Sequence, residues 1–180
     1  MLVSCTIDIP EGVKKQIEKE TSVVFDAHPE YLWYEVAEYR IPLYQWASVE
    51  PDLVEKLSEK VSALLFEQKT LVLYSLKYAV KISSHIDIVL LFQEDRRYRS
   101  IVESIVGFFS PEVKPVFIPM LPLARYKIPA KQQYTHLKNT LSKMETKIEV
   151  PVDTLSLCKT TDFGNGIRKF QELGKIRLDI

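Results

Sequence analysis

Tyr39-Arg40-Ile41-Pro42-Leu43 and Tyr126-Lys127-Ile128-Pro129-Ala130 are the two stretches on which the fold reading turns. Each sets an aromatic residue, a cation, an isoleucine and a proline in the same order, and each runs into a helical pattern. They lie about half the chain apart. An internal repeat at half length implies two pseudo-symmetric lobes. Residues two apart in a strand point to the same face. Arg40 and Pro42 therefore share a face, as do Lys127 and Pro129. If both strands line one groove, two cations face each other across it. Arg125 falls on the same face as Lys127, and Tyr44 and Trp46 keep the parity of Arg40.

The flanking sequence supplies the rest of each lobe. Residues 2–9 alternate as a strand, and Pro10 opens a helix in which Val13 and Ile17 share a face. Residues 34–46 read as one long strand. Ser48 and Pro51 start a helix through about Phe66, with Leu53, Leu57, Val61 and Leu64 as its apolar stripe. Residues 69–82 and 86–93 read as strands joined by Ser83-Ser84-His85. Asp95 is placed to cap a helix carrying Ile101, Ile105 and Phe108. Residues 114–128 look extended, and their three prolines argue for an edge or broken strand. A helix is predicted over 131–144. Two last strands, 148–160 and 168–179, flank the turn at 162–166. This order is not a βαβα alternation. It predicts an α+β fold over residues 1–180, a single bilobal domain. Each lobe has an antiparallel-rich sheet with helices on its outer face, around a central groove.

Composition narrows the class. The chain has 180 residues, 46% of them apolar, with 24 basic and 24 acidic side chains. That supports a packed core and excludes a disordered chain. The longest aliphatic or aromatic run, Ile88 to Phe92, is far below the roughly 20 residues a spanning helix needs. No basic leader precedes an apolar stretch at the start, so a cytoplasmic, non-membrane protein is expected. Cys5 and Cys158 have no CxxC spacing and are read as free buried thiols. The first ninety residues carry nine basic and fourteen acidic groups; the last ninety carry fifteen and ten. That split allows one anion-attracting face.

Other chemistry-bearing residues carry little. None of His28, His85 and His136 has a histidine partner at ligand spacing, so no metal site and no cofactor are predicted. His136 falls in the helix after the second repeat, where it can reach a groove. Asp162-Phe163-Gly164 spells a kinase motif in a chain too short to be one. Arg96-Arg97-Tyr98-Arg99 reads as the solvated first turn of a helix, with RNA contact as the weaker alternative.

With these residues in view, the chain resembles the two-histidine phosphoesterases. That superfamily includes the 2′-5′ RNA ligase (LigT) proteins and RNA 2′,3′-cyclic phosphodiesterases. WYEVAEYRIPLYQWASVEPDLVEKL resembles the first motif region, PLARYKIPAKQQYTHL the second, and VDTLSLCKTTDFGNGIRKFQELGKIRL the closing hairpin. The family carries a His-x-Thr/Ser motif in each lobe, one histidine as general base and the other as general acid. In this alignment Arg40 and Lys127 replace the histidines, and Pro42 and Pro129 replace the hydroxyl residues. Imidazole titrates near neutrality, whereas arginine holds its proton throughout. The resemblance thus implies a catalytically degenerate relative. It would bind a phosphate-containing ligand, an RNA end or a nucleotide, through Arg40, Pro42, Tyr44, Arg125, Lys127 and Pro129, with Tyr126 as a lesser contact. Two alternatives stand beside it. One is an active phosphodiesterase with an acid–base pair rebuilt from Lys127 and His136. The other is a protein-interaction scaffold whose groove is vestigial.

Overall fold

A strand that is apolar on both faces needs cover on both. Ile86-Asp87-Ile88-Val89-Leu90-Leu91-Phe92 is such a strand, and its sheet is laid out around it. The computed structural model describes residues 1–126, 131–162 and 168–179. Its elements in chain order are β1 Val3–Asp8, α1 Glu11–Ala27, β2 Leu32–Trp33, β3 Arg40–Trp46, α2 Val54–Leu64, β4 Leu71–Ile82 and β5 Ile86–Phe92. After them come α3 Arg96–Phe109, β6 Met120–Tyr126, α4 Lys131–Ser142, β7 Glu149–Val152, β8 Thr154–Asp162 and β9 Arg168–Arg177. The strands form two sheets, ordered β3-β1-β8-β9 and β2-β6-β5-β4-β7. All paired strands within them are antiparallel. This is the expected α+β architecture of two lobes, and β3 and β6 pack against each other where the lobes meet.

Each helix buries one face, as its spacing requires. Helix α3 buries Tyr98, Ile101, Val102, Ile105 and Val106. Its first turn is held by Asp95, whose carboxylate accepts from the backbone N–H of Arg97 at 2.7 Å and of Tyr98 at 3.0 Å. That satisfies two of the donors a helix start leaves unpaired. Helix α2 buries Leu57 and Val61, and α4 buries Leu137 and Leu141.

Two predicted strands are each divided by a crossing between lobes. Residues 34–46 are not one strand: the Tyr34 N–H bonds the Leu123 carbonyl of the second sheet at 2.9 Å. A 3-10 turn at Val36–Glu38 then carries the chain to β3 in the first sheet. Residues 148–160 likewise split into β7, which pairs with β4, and β8, which pairs with β1. Their apolar alternation shifts phase at Asp153, since Ile148, Val150 and Val152 are buried before it and Leu155 and Leu157 after it. A phase shift in period two marks a change of face, and here it marks a change of sheet. The extended stretch at 114–128 holds a strand only from Met120 to Tyr126 within the described residues. The end of the chain ties the lobes together. Asp179 accepts from the Thr70 N–H at 2.9 Å and donates to the Gln68 carbonyl at 2.8 Å.

Both cysteines are free and buried, as the sequence suggests. Burial, with the neighbouring Cys158 adding to it, pushes the Cys5 thiol up to about 12. Burial also raises Cys158, against the lowering effect of Arg40 and a hydrogen bond from Thr6. Neither is a ready nucleophile, because the thiolate is the reactive form. A thiol-specific reagent at mildly alkaline pH is expected to find no fast-reacting cysteine in the native protein and two after unfolding in urea. Phe92 is fully buried. Phe92→Ala should lower the unfolding free energy by about 3–5 kcal/mol in a urea titration.

Candidate functional site

Proline lacks a backbone donor, so inside a sheet it belongs at an edge or a bulge. Pro42 lies on β3, an edge strand. The register with β1 slips beside it: Thr6 faces Pro42 and Cys5 faces Tyr44, which leaves Leu43 unopposed. Pro122 on β6 repeats the arrangement. Val89 faces Pro122 and Ile88 faces Ala124, leaving Leu123 unopposed. The two-residue β2 reaches only Ala124 and Arg125, so β6 is unpaired on that side at Pro122. Both strands are also reached in the same way, from an antiparallel neighbour through a helix (β1-α1-β3 and β5-α3-β6). The described counterpart of Arg40-Ile41-Pro42 is therefore Met120-Leu121-Pro122. Past the bulges, Gln45 opposite Ser4 matches Arg125 opposite Asp87. All eight residues Ser4, Arg40, Pro42, Gln45, Asp87, Met120, Pro122 and Arg125 line one cleft of about 210 Å³.

The cleft is rich in cations, and each arginine in it is braced. Arg40 is ion-paired with Asp8, which faces it across the β1–β3 register. The other Asp8 oxygen accepts from Ser156 Oγ at 2.7 Å. The Arg40 guanidinium also lies 5.6 Å from the centre of the Phe170 ring, close enough for a cation–π contact. Its Nε is buried and has no partner among the described residues. Arg125 grips Asp87 with two bonds, Nε to Oδ1 at 2.8 Å and Nη2 to Oδ2 at 3.3 Å. Burial alone would lower the Arg125 pKa, but the hydrogen bonds and charge of Asp87 outweigh it and raise it above the ordinary value. Asp87 Oδ2 also meets His85 Nε2 at 3.2 Å. Lys81 and Arg168 complete the cationic lining, with Glu38 and Asp87 as its acids. Glu38 is engaged, accepting from the Phe170 N–H at 2.9 Å.

The sequence-predicted residues separate into three groups. Arg40, Pro42, Tyr44 and Arg125 line the cleft together. Lys127 and Pro129 lie outside the described residues. The others sit elsewhere. Tyr126 stacks on Tyr31 with ring centres 4.7 Å apart. Trp46 packs edge-on against Phe109. His136 is exposed on α4, its ring 5.6 Å from that of His28. The basic run at the start of α3 serves structure: Arg97 donates to the Thr70 carbonyl, and Arg99 covers Phe117. Sequence reasoning missed Lys81, Asp87 and Arg168. It also missed the Met120-Leu121-Pro122-Leu123 stretch, whose Pro-Leu step matches that of Arg40-Ile41-Pro42-Leu43.

Chemically, Asp8, Asp87 and Asp162 each pair with one of the three arginines, so the capacity to hold an anion lies in Lys81 and in the guanidinium donors those pairs leave over. Among the described lining residues there is no imidazole and no thiol. Nor do the described residues hold a group of histidine, cysteine and acidic side chains able to bind a metal ion. The Arg125–Asp87 pair is mostly buried, with side chains 24% and 11% exposed. Asp87→Ala leaves that cation uncompensated and should cost about 3 kcal/mol. Glu94→Ala, at the exposed Arg99–Glu94 pair, should cost less than about 1 kcal/mol. Urea midpoints of the two variants make the comparison.

No protein-family model matches the chain, and no curated protein matches it in sequence. Solved structures do. TT0787 of Thermus thermophilus superposes with a TM-score of 0.72 at 14% identity, covering 99% of this chain and 98% of its own. LigT of E. coli complexed with 3′-AMP gives 0.72 at 14% identity, covering 98% and 97%. The same protein complexed with NADP+ gives 0.68 at 16% identity, covering 98% and 96%. At such identities the likeness is one of fold, and it runs from end to end of both chains. The chain carries the LigT-like two-lobed α+β fold.

Proposed function

We propose that the cleft binds a phosphate-containing ligand of nucleotide or RNA-end type and lacks the paired-imidazole chemistry that would cleave it. The observation that carries this reading is the convergence of Arg40, Lys81, Arg125 and Arg168, with the Arg40 Nε buried and unpartnered. A guanidinium presents its donors in a planar fork that matches phosphate oxygens. Asp8 and Asp87 fix the two forks without using all of their donors. Pro42 and Tyr44 form walls. Lys127 and Pro129, which follow β6 in the chain, are the remaining sequence-derived contacts.

The fold relatives support the ligand class: LigT of E. coli has been crystallised with 3′-AMP, NADP+, ATP and phosphate. The two strands support a cleft without acid–base chemistry. Arg40 and Met120 occupy equivalent starts of β3 and β6, and neither can pass a proton near neutrality. His136 does not line the cleft, so nothing favours the rebuilt acid–base pair. The cleft needs both sheets, and we take residues 1–180 as one bilobal unit. A cytoplasmic setting fits the two free buried thiols. No helix among the described residues is long and apolar enough to cross a membrane.

Calorimetric titration with inorganic phosphate and 3′-AMP tests the reading. Binding is expected, weakening as salt rises. Lys81→Ala and Arg40→Gln should each weaken it about tenfold, the scale of one charge-assisted hydrogen bond. A parallel assay on 2′,3′-cyclic AMP should show no hydrolysis. Binding unchanged in both variants, or no binding at all, contradicts the proposal; steady turnover of the cyclic nucleotide contradicts its second half.

A further inference from the structure

The cleft does not end at Met120. Pro42, Tyr44, Gln45, Lys81 and Met120 also line a second groove of about 450 Å³ that runs on between α3 and residues 110–118. Its wall is aliphatic, formed by Leu43, Val102, Val106, Val113, Val116 and Ile118. Val116 is 62% exposed and Val113 51%. A contiguous apolar surface of this kind marks a binding site more often than a single exposed side chain does. The wall is fixed in place. The Phe92 N–H bonds the Pro119 carbonyl at 3.0 Å, the Val113 N–H bonds the Ser110 carbonyl at 2.9 Å, and Arg99 covers Phe117.

Charge and ring chemistry say what the groove takes. Lys81 stands at its junction with the cleft and Lys114 along its side, and neither makes an ion pair among the described residues. A nucleobase would want an open aromatic face to stack on, and the groove has none. Tyr98 is buried. The Tyr44 ring packs against Trp46, and its hydroxyl bonds Ser110. An aliphatic chain needs only apolar area.

We propose that this groove is a subsite for an aliphatic group esterified to the phosphate held in the cleft, so that the ligand is an amphiphilic phosphoester. The inference rests on the phosphate-binding part of the cleft reading and departs from its nucleotide part, since the substituent it places on the phosphate is an aliphatic chain in the groove.

Titration with methyl phosphate, hexyl phosphate below its micelle concentration, and 3′-AMP tests it. Each buried methylene strengthens binding by up to about fourfold, so hexyl phosphate is expected to bind at least about tenfold more tightly than methyl phosphate. Val116→Asn and Ile118→Asn, both at exposed positions outside the cleft, should remove that gain and leave methyl phosphate binding unchanged. Equal affinity for the methyl and hexyl esters overturns the groove assignment and leaves the cleft reading standing. Tighter binding of 3′-AMP than of hexyl phosphate, lost in Val116→Asn, puts a base in the groove and also overturns it. If none of the three binds, both readings fall.

Discussion

A proline within a strand cannot complete the ladder, and this fold carries one at equivalent places in its two sheets. Around Pro42 and Pro122 the pairing slips by one residue, and Leu43 and Leu123 are left unopposed. The slip loosens the strict alternation of faces beyond the prolines. Gln45 and Arg125, of the opposite parity to Pro42 and Pro122, thereby reach the same cleft as Arg40 and Met120, and Tyr44 lines it as well. Without the bulges, Arg125 would point away from the residues it now joins. The geometry of the site is a consequence of where the backbone could not hydrogen-bond.

The same two strands carry the electrostatics. Arg40 is held by Asp8 and Arg125 by Asp87, each acid directly opposite its arginine on the neighbouring strand. A partly buried cation is tolerated only with a counter-charge. Each acid uses part of a five-donor fork. What remains is directional and fixed before any ligand arrives, the condition under which an anion is bound without reordering the site. The lobes differ in the third partner. Asp8 takes Ser156, whereas Asp87 meets His85.

Much of this was readable from residues alone. The α+β class followed from the non-alternating order of elements, and the Asp95 cap and most of the buried faces of α2, α3 and α4 from helical spacing. Leu53 and Phe108, expected on those faces, are instead 43% and 55% exposed because they sit at helix ends beyond the packed turns. Arg40, Pro42 and Tyr44 were grouped by strand parity, and they line one cleft. Arg125 was grouped with Lys127, but it reaches the cleft through a bulge that parity cannot reveal. The repeat at 126–130 is the more conspicuous in sequence because it matches a cation, whereas Met120-Leu121-Pro122-Leu123 matches only a Pro-Leu step. Lys81, near the close of β4, and Arg168, at the start of β9, belong to different hairpins and different sheets. Only tertiary packing brings them together. The split at Asp153 was visible as a phase shift in burial, which reads as one strand until the pairing partners differ.

An anion seated between the two sheets is the central claim. Diffraction from a crystal soaked in tungstate, a heavy phosphate mimic, tests it directly. An anomalous peak within reach of both Arg40 and Arg125 is expected. A cleft without a peak while tungstate sits elsewhere on the protein would contradict it.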